Sequence, residues 1–177
     1  RQNIAMGRNK GREFAESKIL VFLSGDSRIS DPVKLFDRII EKVRDDKFVA
    51  FTCAVKVFPE ETKFIDVIFQ TFYNIYFHTL NIIGMGMGRG ECNVVRSDVF
   101  DKLKGYNENI VAGEDFDLFK RIRRIGKVYF ARDIFIYESP RRYREVGHFK
   151  LLLTWLINSI YVVLMKKSRS KVWREVR

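Results

Sequence analysis

GYNENIVAGEDFDLFKRIRRIG, residues 105–126, decides how the rest of the chain is read. Phe116, Phe119, Ile122 and Ile125 recur at helical spacing, with Arg121, Arg123 and Arg124 between them, and Gly126 stops the pattern. Two adjacent carboxylates, Glu114 and Asp115, follow Gly113 and open the helix. Acids at a helix N-terminus face the positive end of its dipole, which favours their ionised form. An ionised carboxylate at the mouth of a pocket has the character of a general base. The plainer reading is that such acids merely suit a first helical turn. Asp117 falls elsewhere on the helix and reads as a surface residue.

Outward from this helix the chain alternates. Residues 8–17 read as a helix, and ILVFL at 19–23 reads as a strand buried on both faces. Asp31 and Pro32 supply the cap and first position of a helix to about Arg44. A strand is expected at 48–57, then a long helix from Pro59-Glu60-Glu61 to about Ile83. A strand at 92–96, a short helix capped by Ser97, and strands near 127–131 and 134–138 complete the pattern. Strands alternating with helices imply an α/β domain with a mostly parallel sheet. Ligands of such sheets sit at the carboxyl ends of the strands, and Ser24-Gly25-Asp26 directly follows one such end.

Composition narrows the classes. A chain of 177 residues with 46% hydrophobic residues forms one domain with a sizeable core. Cys53 and Cys92 lie in apolar runs without CxxC spacing, so they read as buried thiols of a reducing compartment. The net charge of +11 is uneven: residues 141–177 hold ten Lys and Arg against Glu145 and Glu175. A nucleic-acid surface would spread its basic residues through the folded body, so no nucleic-acid partner is expected. The excess instead brackets the uncharged run LLLTWLINSIYVVLM, 151–165. As a helix it would be roughly 22 Å long, short of a membrane span of about 30 Å. Thr154, Asn158 and Tyr161 fall near one face beside Lys150. Two readings stand: a helix in a membrane interface anchored by Trp155 and by KKSRSK at 166–171, or an ordinary packing helix with a solvated tail. The aromatic helix carrying Phe64, Phe69, Phe72, Tyr73, Tyr76 and Phe77 reads as core plus an oligomer contact, or as a greasy surface for a lipid acceptor. GMGMGRG at 84–90 follows a helix and lacks a Lys-Ser/Thr ending, so it is not a phosphate loop.

The order of these pieces is similar to that of a known family. GRGECNVVRSDVFDKLKGYNENIVAGEDFDLFKRIRRIGKVYF at 88–130, then SPRRYREVG at 139–147, resembles the second half of a family 2 glycosyltransferase with the GT-A fold. GRNKGREFAESKILVFLSGDSRISDP at 7–32 resembles that family's Arg-Asn helix, central strand and metal-binding turn. The resemblance covers about residues 7–150. It implies a Rossmann-related, GT-A-like core over residues 1–148 that lacks its first β-α-β unit, followed by an apolar and basic segment at 149–177.

It also implies an inverting transfer of a sugar from a UDP- or GDP-linked donor to a saccharide or lipid-linked acceptor, assisted by Mg2+ or Mn2+. The base maps to Asp115, with Glu114 beside it. Arg8, Asn9, Ser24, Asp26, Arg141 and Arg142 map to the donor and its diphosphate, Asp26 to the metal, and Gly90 and Glu91 to the acceptor. The glycines of 84–90 match a mobile loop that gates the substrate. Ser24 stands where the family carries the first carboxylate of its Asp-x-Asp turn. Glu138 and Ser139 stand near the place of a metal-binding His in many relatives. His78 reads as packing, and His148 receives no role. The expected setting is the cytoplasmic face of a membrane, with a homo-oligomer in view. The rival reading is a membrane-peripheral binding or scaffold protein of the same fold that has lost catalysis.

Overall fold

The computed structural model describes residues 3–165. Five strands form one sheet: β1 (Ile19–Leu23), β2 (Arg28–Ile29), β3 (Phe48–Val57), β4 (Cys92–Arg96) and β5 (Lys127–Glu138). Their spatial order is β1-β4-β3-β5-β2. The sheet is mixed rather than mostly parallel. Only β3 and β5 form a parallel pair, whereas β4 is antiparallel to both β1 and β3, and β2 is antiparallel to β5. The reason lies in the connection before β4. Cys92 at its start pairs with Leu23 at the end of β1, so the chain enters the sheet at the carboxyl ends of its neighbours and runs backward.

Seven helices flank the sheet among the described residues: α1 (Ile4–Glu13), α2 (Pro32–Val43), α3 (Phe64–Ile82), α4 (Ser97–Lys102), α5 (Glu114–Ile122), α6 (Arg141–Val146) and α7 (His148–Met165). On one face Leu118, Phe119 and Ile122 of α5 pack with Val49, Ala50 and Val95 of the sheet and Phe100 of α4. On the other, Leu35 and Ile39 of α2 pack against Phe48, Phe51, Val94 and Ile136. Each such buried side chain contributes about 1.5–3 kcal/mol of transfer free energy. A third cluster joins α3, α6 and α7 through Phe69, Tyr73, Phe77, Tyr143, Leu151 and Val162.

Several local expectations hold. β3 and β4 have the expected bounds, and every β3 residue but Lys56 is buried. The Asp31 carboxylate accepts from the Lys34 amide at 2.9 Å, and Pro32 opens α2. Both cysteines are free and buried.

Others are corrected. The first helix begins at Ile4, because the Asn3 side chain caps it by accepting from the Met6 amide. Pro59–Glu61 form a separate 3-10 turn, and α3 starts at Phe64, where Asp66 accepts from the Lys63 amide. The two strands expected around 127–138 are one, with a bulge against β3 between the Cys53 and Ala54 partners. β1 is an edge strand among the described residues and Leu23 is exposed, so its apolar run is not covered on both faces.

α7 packs onto the body through Leu151, Asn158 and Val162, leaving Phe149, Leu153, Ile160 and Met165 exposed. Asn158 is therefore buried rather than on an outer polar face. No helix among the described residues is long and apolar enough to cross a membrane. The KKSRSK segment lies outside the described residues.

The connection from α3 to β4 is held by side-chain hydrogen bonds. Asn81 clamps it, accepting from the Met87 amide at 2.7 Å and donating to the Met87 carbonyl at 2.8 Å. Gly86 adopts φ +75°, and a Cβ there would lie 2.4 Å from the Phe119 carbonyl oxygen. The glycines serve close approach of this loop to α5. Gly86→Ala is expected to destabilise the protein by about 2 kcal/mol or more. Gly7 sits inside α1 with open space around it, so Gly7→Ala is expected to stabilise by roughly 0.5–1 kcal/mol. Urea denaturation of the two variants checks the pair; equal effects would contradict the clamped loop.

Candidate functional site

A cleft of about 290 Å³ opens where the elements converge. α1 contributes Arg8, and the turn after β1 contributes Ser24 and Asp26. The loop before β4 contributes Gly88, Arg89, Gly90 and Glu91, while the start of α5 contributes Glu114 and Asp115. Glu138 at the end of β5, Arg141 and Arg142 of α6, and aromatic side chains of α3 and α7 close it. Nine of the ten sequence-predicted residues thus line one cleft. Asn9 lies outside its wall and spends its amide on the following turn. It donates to the Tyr106 carbonyl and the Glu108 carboxylate, and accepts from the Tyr106 amide, each at 2.9 Å.

Gly113 makes the carboxylate pair point inward. Its φ of +88° turns the chain sharply into α5, a conformation that favours glycine. Arg8 then holds Glu114 at 3.2 Å and donates to the Gly90 carbonyl at 2.6 Å, tying α1, α5 and the glycine loop together. Gly90 is tight against the acid pair, since a Cβ there would lie 3.2 Å from Asp115 Oδ2. Burial pushes the Glu114 carboxyl up to about 7, helped by the neighbouring Asp115 and opposed by Arg8. Burial likewise raises Asp115, with Arg8 pulling it down and Glu91 pushing it up. The helix dipole was expected to favour their ionised form; burial outweighs such effects and raises both carboxyls. Asp117 is not a bare surface group. It binds Arg121 at 2.7 Å, and Arg121 donates to the Leu103 and Gly105 carbonyls, bracing the turn before α5.

The opposite end of the cleft is open and basic. Asp26 is two-thirds exposed, and Arg141 Nη2 lies 3.8 Å from it. Burial lowers the Arg142 guanidinium despite the nearby acids Asp26, Glu138 and Glu145. The Ser24 amide donates to the Glu91 carbonyl at 3.2 Å, locking this turn to the start of β4.

Sequence reasoning gave Arg89 and Gln70 no role, and raised Glu138 only as a stand-in for a missing His. Arg89 is buried beneath the cleft floor, 3.2 Å from Glu91 and 3.8 Å from Glu138. Gln70 donates to Glu138 and accepts from Arg89 at 3.1 Å. An arginine within a glycine run, and an acid ending an apolar strand, were the available signals. His148 also has a place: its Nε2 lies 2.8 Å from the fully buried Asp66, which Arg144 pairs from the other side at 2.7 Å.

The donor set suits a divalent ion of one particular kind. No group of three His, Cys, Asp or Glu side chains that could hold a metal exists among the described residues. Asp26 is a single exposed carboxylate with the Ser24 hydroxyl on the same turn. Such a turn fits a hard ion that takes most of its oxygens from water and from a bound diphosphate, as Mg2+ commonly does. It does not form a closed metal centre of its own.

No family model matches the chain, and no curated protein matches it. Solved structures do: the fold is the α/β, GT-A-like fold of glycosyltransferases, with a mixed sheet flanked by helices. One similar structure is the mannosyltransferase PcManGT from Pyrobaculum calidifontis in complex with GDP-Man and Mn2+. The TM-score is 0.63 at 16% sequence identity, over 86% of this chain and 44% of that one. The chain thus spans less than half the length of that enzyme, and the likeness is one of fold.

The raised carboxyl pKa gives a signed expectation. A carboxyl whose pKa is raised on folding favours the folded state while protonated; that contribution is lost as pH rises through its folded value. With Glu114 raised from its ordinary 4.5 to about 7, the thermal midpoint should fall between about pH 4.5 and 7 and level off above, and Glu114→Gln should flatten that slope. An unchanged slope in Glu114→Gln contradicts the assignment.

Proposed function

We propose that the protein is a family 2-type inverting glycosyltransferase. It moves a hexosyl group from a UDP- or GDP-linked sugar to a hydroxyl of a saccharide or lipid-linked acceptor. The observation that carries this is the convergence, from separate segments, of a buried carboxylate pair and an open basic rim on one cleft. The similar fold of a GDP-mannose-binding enzyme supports it.

Asp115 is the general base. It removes the acceptor proton as that oxygen attacks the anomeric carbon from the face opposite the leaving group, so the configuration inverts without a covalent intermediate. Its raised pKa makes it a stronger base than an ordinary aspartate. Glu114, held by Arg8, keeps a second acid beside it. Gly90 and Glu91 border the acceptor. Arg141 and Arg142 take diphosphate oxygens, for which their planar donors are suited. Asp26, with Ser24, would hold Mg2+ or Mn2+ together with those oxygens. The ion, when bound, neutralises charge on the departing nucleotide diphosphate.

The exposed Phe149, Leu153, Ile160 and Met165 of α7, leading into the basic 166–171 run, support attachment at the cytoplasmic face of a membrane. The exposed Ile68, Phe72 and Ile75 of α3 suit a second copy or the same membrane.

Asp115→Asn is expected to reduce transfer by about 10²–10⁴-fold while donor binding persists. The check is product formation alongside donor calorimetry. Transfer that survives this change would remove Asp115 from the mechanism. Liposome binding with no transfer in the wild type, indifferent to Asp26 and Asp115, would favour the scaffold reading.

A further inference from the structure

The floor of the cleft holds a charge cluster of which the mechanism above uses only Glu91, as a border of the acceptor. Arg89 is 3% exposed at its side chain, whereas Glu91 and Glu138 keep 18% and 17% and line the cleft. The guanidinium lies 5.0 Å from the Phe77 ring centroid, with Nε on Glu91 and Nη2 on Gln70. Its Nη1 is buried without a hydrogen-bond partner among the described residues. The Arg89 amide donates to Thr52 Oγ1 at 3.0 Å, which fixes the backbone beneath it. The two carboxyl groups face the same guanidinium, Glu91 at 3.2 Å and Glu138 at 3.8 Å. Burial and the charge of Glu91 push Glu138 well up. Burial also works against ionised Glu91, but the charge of Arg89 together with hydrogen bonding keeps that carboxyl low.

Position gives the cluster its meaning. Glu91 follows Gly90, whose backbone abuts Asp115, and Glu138 precedes Ser139 and the arginines of α6. The pair lies between the end assigned to the base and the end assigned to the diphosphate. In an in-line transfer that interval is filled by the sugar being moved.

We propose that Glu91 and Glu138, braced from beneath by Arg89, form a subsite that binds hydroxyl groups of the transferred sugar and rejects an anionic sugar. This rests on the glycosyltransferase reading. Carboxyl oxygens accept from hydroxyls, so two carboxyl groups lining one stretch of the cleft can engage neighbouring hydroxyls of one sugar. The unmet Nη1 donor marks the same place as incomplete without a ligand oxygen or ordered water. One guanidinium already faces two acids, so a sugar carboxylate would meet like charge there. Arg89 is a positioning residue, acting through the two acids.

The test is calorimetry on the intact protein with Mn2+ present. The probes are UDP, GDP, UDP-glucose, GDP-mannose and UDP-glucuronate. One neutral sugar nucleotide should bind about 10–100-fold more tightly than its parent nucleotide. Glu138→Ala should erase that increment and leave the parent nucleotide's affinity unchanged. Glu138→Gln, which keeps a donor and an acceptor, should retain most of it. Arg89→Lys should reduce the increment without moving the parent nucleotide. UDP-glucuronate should bind no better than UDP. If a nucleotide binds but its neutral sugar adds nothing, or Glu138→Ala spares the increment, the subsite falls while the transferase reading stands. If glucuronate adds affinity, its charge preference is wrong. If no nucleotide binds, the transferase reading falls and takes the subsite with it.

Discussion

Two guanidinium groups, that of the partly buried Arg8 and that of the buried Arg89, let four carboxyl groups share one cleft. Without them Glu114, Asp115, Glu91 and Glu138 would face one another in a poorly solvated space, where uncompensated charge is strongly destabilising. The fold is arranged around this need. α1 is capped by Asn3 so that Arg8 reaches both α5 and the Gly90 carbonyl. The loop before β4 passes so close to Phe119 and Asp115 that glycine is required, and it delivers Arg89 beneath the floor. β4 then enters the sheet backward between β1 and β3, which sets Glu91 beside Ser24.

This arrangement separates the two ends of the cleft chemically. At the α5 end the acids are buried and their carboxyls are shifted upward, so each holds a proton more readily than an ordinary carboxylate. At the α6 end Asp26 and Arg141 remain in solvent, where water screens their attraction. A group that must take a proton and a group that must release a charged nucleotide need these different surroundings. Burial, rather than the helix dipole, produces the difference.

Much of this was legible from residue order. The Gly113-Glu114-Asp115 start of α5, the Asp31-Pro32 start of α2, and the bounds of β3 and β4 follow from local pattern, because caps and apolar runs act within a few residues. The direction of β4 did not, since strand alternation carries no information about which end of the sheet a returning loop reaches. The buried face of α7 was also hidden: Asn158 looked like part of a polar face, and only packing against the body buries it. Asn9 belonged to a matching motif, yet its amide is consumed by the turn at Tyr106. Arg89 and Glu138 were visible as letters but not as partners, because nearly fifty residues separate them and only the parallel β3–β5 pairing and the clamp at Asn81 unite them.

The most direct measurement is the thermal midpoint of the intact protein with UDP or GDP, with and without Mn2+, in the wild type and in Asp26→Ala. Stabilisation by one nucleotide that requires Mn2+ and disappears in Asp26→Ala is the expected result. A midpoint that neither nucleotide moves in the presence of Mn2+ would contradict the assignment of this cleft to sugar-nucleotide chemistry.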